Sequence, residues 1–387
     1  MNILVIPSWY ENKNNKTHGS FFKEQAKSLA DRGHNVYILY VDIIRFNEIG
    51  RMITTEKYKF YDDGELKVFR KKFIKLPKLS EKYVIKNVEL GIKDLYEKFI
   101  KDKIKIDVIH AHSFIWGGYA GVKLSKKYNI PIMVTEHYTG YSRNIFSNEE
   151  KNILKYAINS CDKCIAVSNG LKSDMKNYTN RNIDIIYNMV DTEKFRFDKN
   201  KNLIKENRSK FIFSSVCYLM KKKGIDILLK AFKVAFNNDD TVELHIGGDG
   251  EERSNLEDLT KELGIQNKVK FYGYLNRDSV VNLMKSSECF VLPSRYETFG
   301  VVYIEALALG KPVIATNTDA IFDIVNDNNG IIVEKENIKQ LSEALRYIKE
   351  NYHKYDQELI SKECILKFSK DVIVKEIENE LLNLVKN

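Results

Sequence analysis

Short apolar runs alternate along the chain with longer segments whose apolar residues recur every three or four positions. Residues 3–6 are apolar and end at Pro7, and residues 21–32 then show helical periodicity that stops at Gly33. Further apolar runs follow at residues 36–41, 108–110, 132–135 and 164–167. This alternation of strands and helices predicts a doubly wound parallel sheet.

A second alternation of the same kind begins after residues 196–209, which are polar and charged without an apolar period. Strands are predicted at residues 211–216, 242–246, 269–272, 289–292 and 313–316, and helices at 224–237, 251–263, 279–285 and 300–309. The two alternations predict two Rossmann-like α/β domains facing a central cleft. Ligands of such sheets bind at the carboxyl ends of strands where the topology reverses, so we expect the site in this cleft. The expected division is an N-terminal domain over 1–195, a linker over 196–209, a C-terminal domain over 210–370, and a helix over 371–387 that packs back on the N-terminal domain.

Composition restricts the class of protein further. The chain has 387 residues, 43% of them hydrophobic, and no segment approaches the roughly 20 apolar residues that span a bilayer. Its five cysteines are an odd number, mostly isolated in apolar runs, and the lone pair Cys161 and Cys164 has no second pair to complete a zinc ribbon. We interpret the thiols as structural and expect a cytoplasmic protein.

The net charge of +9 suggests an anionic partner. Much of the excess lies between Lys67 and Lys86, where eight basic residues and several apolar ones accompany one acid, Glu81. Such a stretch is typical either of a segment resting on an anionic membrane surface or of a solvated helix face, and both interpretations stay open. Nucleic acid is not expected as a partner, because none of the usual recognition motifs accompanies the charge.

The segment with the most specific chemistry is residues 293–306. A predicted strand stops at Pro293, a polar loop carries Glu297, and Gly300 opens a helix in which Glu305 lies among apolar residues. Amides in the first turn of a helix bind anions, and two carboxylates beside such amides suit the hydroxyls of a sugar.

This segment resembles the E-x7-E signature of the family-4 retaining glycosyltransferases, and the resemblance extends over most of the chain. It implies a GT-B fold in which the N-terminal domain binds the acceptor and the C-terminal domain binds a nucleotide diphosphate sugar as donor. By the resemblance, Glu297 contacts hydroxyls of the donor sugar and Glu305 binds the ribose diol. The backbone of Thr298, Phe299 and Gly300 is expected to hold the sugar and the diphosphate.

A second segment, residues 216–224, carries three lysines before a helix-opening glycine, which suits a diphosphate clamp. It resembles the family segment in which an arginine and a lysine hold the donor phosphates. Lys223 matches the lysine. Tyr218 stands at the arginine position, so the site lacks one cation of the family pattern. The side chain of Tyr218 is expected to lie at the donor.

Other donor positions follow from the resemblance. Gly248 lies in a G-x-G turn that is structural or flanks the nucleotide, and Tyr274 lies where the family meets the base. Gly19, in the segment Thr17–His18–Gly19, matches the glycine turn that approaches the diphosphate. His137, after a predicted strand, matches the histidine near the donor sugar.

Two further histidines, His110 and His112, invite a metal interpretation. We take them to point to opposite faces of a strand, so that they cannot share an ion, and no D-x-D motif is present. The expectation is therefore a metal-independent reaction without a cofactor, in which Lys223 and helix amides stabilise the leaving diphosphate. His112, at the end of its strand, is expected to contact the acceptor.

The resemblance to bacterial enzymes that build surface polysaccharides implies transfer to a lipid-linked or growing glycan, with a UDP-sugar slightly favoured over a GDP-sugar. The enzyme is expected in the cytoplasm, on the inner face of the cell membrane if the basic stretch binds there. Asp319–Ala320, in place of a glycine pair, and Tyr218 depart from the family. Two alternatives stay open: a sugar-nucleotide-binding module without catalysis, and a nucleotide-sugar epimerase on the same fold.

Overall fold

The computed structural model describes residues 1–11, 19–45, 57–77, 79–198 and 210–386. It divides into two compact units. The first comprises Met1–Tyr187 together with Val374–Asn387, and the second comprises Asn188–Ile373. The chain thus leaves the first unit, builds the second, and returns.

The first unit is built of strands and helices that alternate over most of its length. Its strands are β1 (Asn2–Pro7), β2 (Asn35–Arg45), β3 (Tyr58–Asp63), β4 (Leu66–Lys75), β5 (Val108–His112), β6 (Ile132–Glu136), β7 (Lys163–Ala166) and β8 (Asp184–Ile185). Its helices are α1 (Ser20–Asp31), α2 (Glu81–Phe99), α3 (Tyr119–Tyr128), α4 (Asn148–Ser160) and α5 (Asn169–Met175).

The eight strands form one sheet in the order β3-β4-β2-β1-β5-β6-β7-β8. All neighbours are parallel except β3, which runs antiparallel to β4 at the edge. β1 lies at the centre, and its residues Ile3, Leu4, Val5 and Ile6 are buried, as expected for a strand whose two faces are both covered. The sequence predicted this parallel core but neither β3 nor β4.

The second unit has strands β9 (Phe211–Val216), β10 (Val242–Gly247), β11 (Val269–Phe271), β12 (Cys289–Leu292), β13 (Val313–Thr316) and β14 (Gly330–Val333). Its helices are α6 (Ile225–Phe236), α7 (Arg253–Glu262), α8 (Arg277–Ser286), α9 (Val301–Ala308), α10 (Ile338–Asn351) and α11 (Gln357–Phe368). The strands form a parallel sheet in the order β11-β10-β9-β12-β13-β14.

The last helix, α12 (Lys370–Lys386), begins in the second unit, and its greater part belongs to the first. Within the first unit Arg32 Nη2 lies 2.6 Å from Glu378 Oε2, and Lys163 Nζ lies 2.8 Å from Glu380 Oε2. The division between the units falls at Tyr187, earlier than the expected boundary at 195. Val190 donates its amide to Phe368 O at 2.9 Å, which ties residues after 187 to the second unit. Of the predicted linker, residues 199–209 lie outside the described part.

The basic stretch does not form one helix face. It covers β4, a connection that includes Lys78 outside the described residues, and the first turn of α2. Arg70 is buried, with Nη2 at 2.8 Å from Asp42 Oδ2, and Lys71 Nζ lies 2.8 Å from Asp94 Oδ2. Part of this charge is therefore neutralised by acids that are distant in sequence.

No helix in the described part of the chain is both long enough and apolar enough to cross a bilayer.

Candidate active site

The sheet of the second unit reverses its topology at β9. The strand that follows β9 in sequence, β10, lies on one side of it, and β12 lies on the other. Ligands of such sheets bind outside the carboxyl ends of the strands at this reversal. The loops that follow β9 and β12 are residues 217–224 and 293–300, and they carry the two motifs singled out in the sequence.

Lys223 and Glu297 meet where these two loops come together. Lys223 Nζ donates to Glu297 Oε1 at 2.5 Å, and Ser294 Oγ donates to the same oxygen at 2.9 Å. The side chains are 17% and 8% exposed, so the pair is shielded from solvent on most sides. Burial lowers the pKa of Lys223, but the Glu297 carboxylate raises this pKa by a larger amount. The pKa of Lys223 therefore lies above its usual range. The ammonium is therefore charged at neutral pH.

Gly224 explains how the two loops approach so closely. Residues Lys221–Lys223 form a short 3-10 turn, after which Gly224 adopts φ 68° and begins α6. A Cβ at this position would lie 2.0 Å from the carbonyl oxygen of Pro293. Only glycine permits both the left-handed backbone and the contact between the loops.

Arg295, which the sequence did not single out, also joins the two loops. Its two terminal nitrogens lie 2.9 Å from the two carboxylate oxygens of Asp226, a bidentate pair. Its backbone amide donates to Lys222 O at 2.8 Å, and its side chain also contacts Lys221 O and Glu336. An arginine two residues before the motif glutamate was a signal, but its distant partners were not visible in the pattern.

Glu305 is the second motif glutamate, and it is 1% exposed on α9. Arg277, at the start of α8, places Nη1 at 2.5 Å from Glu305 Oε1, and its guanidinium lies 4.7 Å from the ring centroid of Phe195. Sequence reasoning missed Arg277, since nothing in its neighbourhood distinguishes it from a surface arginine. The carboxylate of Glu305 is thus charge-compensated and held in one orientation.

The backbone of Thr298, Phe299 and Gly300 leads directly into α9, as the motif predicted. Gly300 is the N-cap, with φ 89°, and a Cβ there would lie 2.5 Å from the ring of Tyr303. Tyr303 is buried, and its hydroxyl donates to Leu292 O at 2.6 Å at the end of β12. This contact fixes the start of the helix relative to the strand.

The remaining donor positions of the second unit differ in exposure. Tyr218 and Tyr274, after β9 and β11, are 60% and 61% exposed, so their rings are available to a ligand. Gly248 has φ 121°, and a Cβ there would lie 1.8 Å from Cys217 O. Gly248 therefore has a structural reason to be glycine, namely close packing beneath the loop that bears Tyr218.

In the first unit, Gly19 and His137 lie in segments that follow strands, Gly19 after β1 and His137 after β6. Gly19 is the N-cap of α1 with φ 74°, and a Cβ there would meet Trp9 O at 2.7 Å. Its sequence neighbours Thr17 and His18 lie outside the described residues. His137 directly follows β6, is 6% exposed, and packs against Phe21 and Phe22 at centroid distances of 5.1 Å each.

Glu136, which precedes His137, was not singled out in the sequence. It is fully buried at the end of β6, and its carboxylate accepts amides of Phe114 at 2.9 Å, His137 at 2.8 Å and Tyr138 at 2.9 Å. The hydroxyl of Tyr141 donates to it at 3.0 Å. Burial raises the pKa of Glu136, although these hydrogen bonds act in the opposite direction. One carboxylate thus fixes the loops after two strands.

The interpretation of His110 and His112 as pointing to opposite faces was wrong. Residues two apart in a strand lie on the same face, and the two rings are 4.2 Å apart between centroids. His112 Nδ1 lies 3.3 Å from His137 Nε2, and His110 Nε2 lies 2.9 Å from Thr135 Oγ1. Within the described ranges no group of three or more His, Cys, Asp or Glu side chains is arranged to hold a metal ion.

The chain forms two α/β units with largely parallel sheets. The second unit has a helix whose first turn suits an anion, and a lysine–glutamate pair at the point where its topology reverses. These features together are those of the GT-B class of glycosyltransferase. Family models match accordingly: glycosyltransferase family 4 over residues 19–194 and glycosyl transferases group 1 over residues 194–363.

Individual proteins agree with this assignment. An uncharacterized glycosyltransferase of Methanocaldococcus jannaschii is 32% identical over 269 residues, which are 68% of this chain and 69% of the relative. Sucrose-phosphate synthase of Thermosynechococcus elongatus has a similar fold, with a TM-score of 0.80, 17% identity and 99% of each chain covered. Anabaena HepE in complex with UDP and glucose has a TM-score of 0.73 at 19% identity, covering 99% of this chain and all of that one. The chain belongs to the group 1/family 4 glycosyltransferases and is an enzyme of this kind.

Proposed function

We propose that the protein is a retaining, metal-independent glycosyltransferase that moves a sugar from a nucleotide diphosphate sugar to a lipid-linked or growing glycan in cell-surface polysaccharide synthesis. The observation that carries the proposal is the Lys223–Glu297 pair, 2.5 Å apart at the carboxyl ends of β9 and β12. Membership in the glycosyltransferase family argues against the two alternatives left open by the sequence, a non-catalytic sugar-nucleotide module and an epimerase.

Lys223 supports the leaving diphosphate in this proposal. An ammonium group has three N–H donors, and the contact with Glu297 uses one of them. The others can bind phosphate oxygens, whose negative charge grows as the bond to the sugar breaks. Because the pair lies in a shielded site, this stabilisation is stronger than it would be in water.

Glu297 and Glu305 hold neutral hydroxyl groups. Lys223 and Ser294 fix one oxygen of Glu297, so the carboxylate offers its acceptor capacity in a defined direction. We propose that Glu297 binds hydroxyls of the donor sugar, Glu305 binds the ribose diol, and His137 hydrogen-bonds the sugar near the leaving phosphate. The acceptor attacks the donor sugar on the same face from which the phosphate departs. No side chain becomes a covalent nucleophile.

The base and the diphosphate contact the remaining donor residues. We propose that the backbone of Thr298, Phe299 and Gly300 binds the sugar and diphosphate, and that the exposed rings of Tyr218 and Tyr274 lie against the nucleotide. A UDP-sugar is favoured, in agreement with the UDP bound by Anabaena HepE. Gly19 lies against the diphosphate, and Gly248 acts through the loop it supports.

We propose a cytoplasmic location at the inner face of the membrane. Ile74, Leu76 and Tyr83 are 38%, 49% and 49% exposed around the junction of β4 and α2. Lys82 lies nearby with a distant acid, Glu149, at 3.7 Å. Apolar side chains surrounded by lysines suit an anionic lipid surface.

The membrane proposal is tested by sedimentation with liposomes at low salt. We expect binding to vesicles that contain anionic phospholipid and not to neutral ones, and weaker binding for Leu76→Ser/Tyr83→Ser. The control is Leu366→Ser, which changes an apolar side chain on α11 that is still more exposed, at 66%. Equal binding to neutral vesicles, or no effect of the double substitution, would refute membrane docking here without touching the enzymatic proposal.

The enzymatic proposal is tested first by donor binding in EDTA. Nucleotide sugars are screened by thermal shift and isothermal titration against the wild type and Glu305→Ala. A ligand at 100 times its dissociation constant should stabilise the protein by about 2.7 kcal/mol. One sugar nucleotide that stabilises the wild type only would support the proposed donor site. Binding that requires a divalent ion contradicts metal independence.

Catalysis is then separated from the two alternatives by the acceptor. A transferase releases the nucleotide quickly only when a glycan acceptor is present, an epimerase changes the donor without any acceptor, and a binding module does neither. NMR of the product gives the anomeric configuration, and inversion would contradict the retaining assignment.

A further inference from the structure

His112 and His137 form a buried pair at the ends of two neighbouring parallel strands, β5 and β6. Nδ1 of His112 and Nε2 of His137 are 3.3 Å apart. Phe22 of α1 covers both rings, at centroid distances of 4.6 Å from His112 and 5.1 Å from His137. His112 is 1% exposed, and its Nδ1 is directed at His137.

The contact between the two rings links their proton positions. A hydrogen bond between imidazoles needs one N–H and one lone pair. Burial, with the neighbouring His110 and His137, lowers the pKa of His112 well below its usual range, so His112 carries a single ring proton. If His112 Nδ1 donates, a neutral His137 carries its proton on Nδ1. If His112 Nδ1 accepts, His137 carries its proton on Nε2.

The backbone of His137 is held separately from its ring. Oε1 of Glu136 accepts the amides of His137 and Tyr138 at 2.8 and 2.9 Å. Glu136 therefore fixes where the His137 side chain begins, and the contact with His112 fixes how the ring turns and which nitrogen is protonated. The second restraint determines the hydrogen bond that His137 can offer to a ligand.

We infer that His112 is a positioning residue, which holds the ring of His137 in one orientation and one tautomer for the donor sugar. This replaces the acceptor contact expected for His112 from the sequence. The inference rests on the proposed function for the role of His137, while the restraint itself is a property of the free protein.

The first test needs no substrate. Nitrogen-15 NMR of the histidine rings gives the tautomer of His137 in the wild type, in His112→Leu and in His112→Asn. The amide of His112→Asn can place its nitrogen at the position of Nδ1 as a donor or its oxygen there as an acceptor. We expect one tautomer of His137 in the wild type and in His112→Asn, and a mixture or the opposite tautomer in His112→Leu. Unchanged His137 nitrogen shifts in His112→Leu would overturn the inference.

The second test distinguishes positioning from acceptor binding. For His112→Leu we expect kcat to fall roughly tenfold, the loss of about one hydrogen bond, both for transfer and for slow donor hydrolysis without acceptor. His112→Asn should recover most of this loss, and the acceptor KM should stay within about twofold. The matched control is His110→Gln, on the same strand and equally buried, which keeps a nitrogen near Thr135 and should retain wild-type kcat.

The outcomes of the two tests are separable. A raised acceptor KM with unchanged donor hydrolysis would overturn positioning in favour of an acceptor contact. If the wild type cleaves no nucleotide sugar, the proposed function fails, and the NMR comparison still decides whether His112 restrains His137. Thermal unfolding midpoints of all variants show whether a loss of kcat reflects unfolding.

Discussion

The two units hold their chemical groups at the carboxyl edges of similar sheets, but by different means. In the second unit, charged side chains compensate one another, as in Lys223 with Glu297 and Arg277 with Glu305. In the first unit, neutral rings and backbone amides surround one buried carboxylate, Glu136. Groups at the carboxyl edge of a parallel sheet can thus be stabilised by paired charges in one unit and by fixed dipoles in another.

The turn after β5 shows how far the first unit depends on backbone geometry. Ser113 has φ 61°, and Trp116 has φ 76° with ψ −79°, conformations that are costly for residues other than glycine. Ser8 Oγ lies 2.6 Å from Ile115 O and accepts the amide of Gly117 at 2.9 Å. Such strain persists only where surrounding contacts impose it, and in the second unit Glu336, a charged partner of Arg295, also has a positive φ of 60°.

The largest expected effect concerns the charged pair. Glu297→Gln keeps the shape and removes the charge, and we expect kcat/KM to fall roughly 10²–10³-fold. Lys223→Ala leaves a mostly buried carboxylate uncompensated and should cost about 3 kcal/mol of unfolding free energy, measured by denaturant titration. The control is Lys194→Ala, whose partner Asp278 is 80% exposed, with an expected change near zero. Activity of Glu297→Gln within about threefold of wild type would contradict the proposed mechanism.

Close backbone contacts give the next effect, and they compare the units directly. Gly224→Ala places a Cβ 2.0 Å from Pro293 O at φ 68°, and we expect a loss of about 3 kcal/mol. Gly117→Ala in the first unit places a Cβ 2.7 Å from Ile6 O and should cost about 2 kcal/mol. Gly33→Ala has φ 87° and no atom within 4 Å, so only the strain of about 1 kcal/mol should appear. Equal losses at all three positions would show that the contacts contribute nothing.

Glu297, Glu305 and Lys223 could be singled out from the sequence because they lie in motifs directly after strands whose apolar patterns were clear. The structure brings Lys223 and Glu297 together, and the roles of all three residues stay predictions. Strands β9, β12 and β13 have the predicted bounds. Arg277 and Arg295 were missed because their partners are 28 and 69 residues away, at Glu305 and Asp226.

The first unit was harder to predict for physical reasons. β4 was taken as part of a basic stretch, since the acids that neutralise Arg70 and Lys71 come from β2 and α2. Glu136 resembled any glutamate at a strand end until its four donors were known. The opposite-face interpretation of His110 and His112 failed through a misapplied strand period, which for residues two apart gives the same face.

The next effect depends on pH and is smaller for each pH unit than the losses above. It separates the units by the pH range in which each loses stability. Burial lowers the pKa of His110 to about 3, so the unfolded chain binds its proton first as the pH falls below about 6.5. Wild type should therefore lose up to about 1.4 kcal/mol per pH unit more than His110→Gln between pH 6.5 and 3.

In the second unit burial raises the pKa of Glu243, but Lys210, Lys270 and His245 outweigh this and bring it to about 2. Its stabilising contribution is present above its ordinary pKa of 4.5 and should be lost only as the pH falls towards 2. Denaturant titrations of Glu243→Gln beside the wild type check this range. A difference from the wild type that stays constant between pH 4.5 and 2 would contradict the assignment to Glu243.

The smallest effect concerns the position where the family has an arginine. Tyr218→Arg adds a cation at an exposed site beside the lysine loop, and we expect donor affinity to rise about two- to fivefold by titration calorimetry. Tyr347→Arg, at a 48% exposed position on α10, adds the same charge elsewhere and should change affinity little. Equal gains from both variants would indicate general attraction and not a phosphate contact.

The return of the chain to the first unit has a consequence for biosynthesis. Residues 188–373 are continuous and contain every strand of their sheet, whereas the first unit includes residues 374–387. Domains fold as their residues leave the ribosome. The second unit therefore needs no segment from later in the chain, while the first cannot gain its ion pairs at Glu378 and Glu380 until these residues have been synthesised and have left the ribosome. A chain that ended at Ile373 would contain the whole second unit but would lack part of the first.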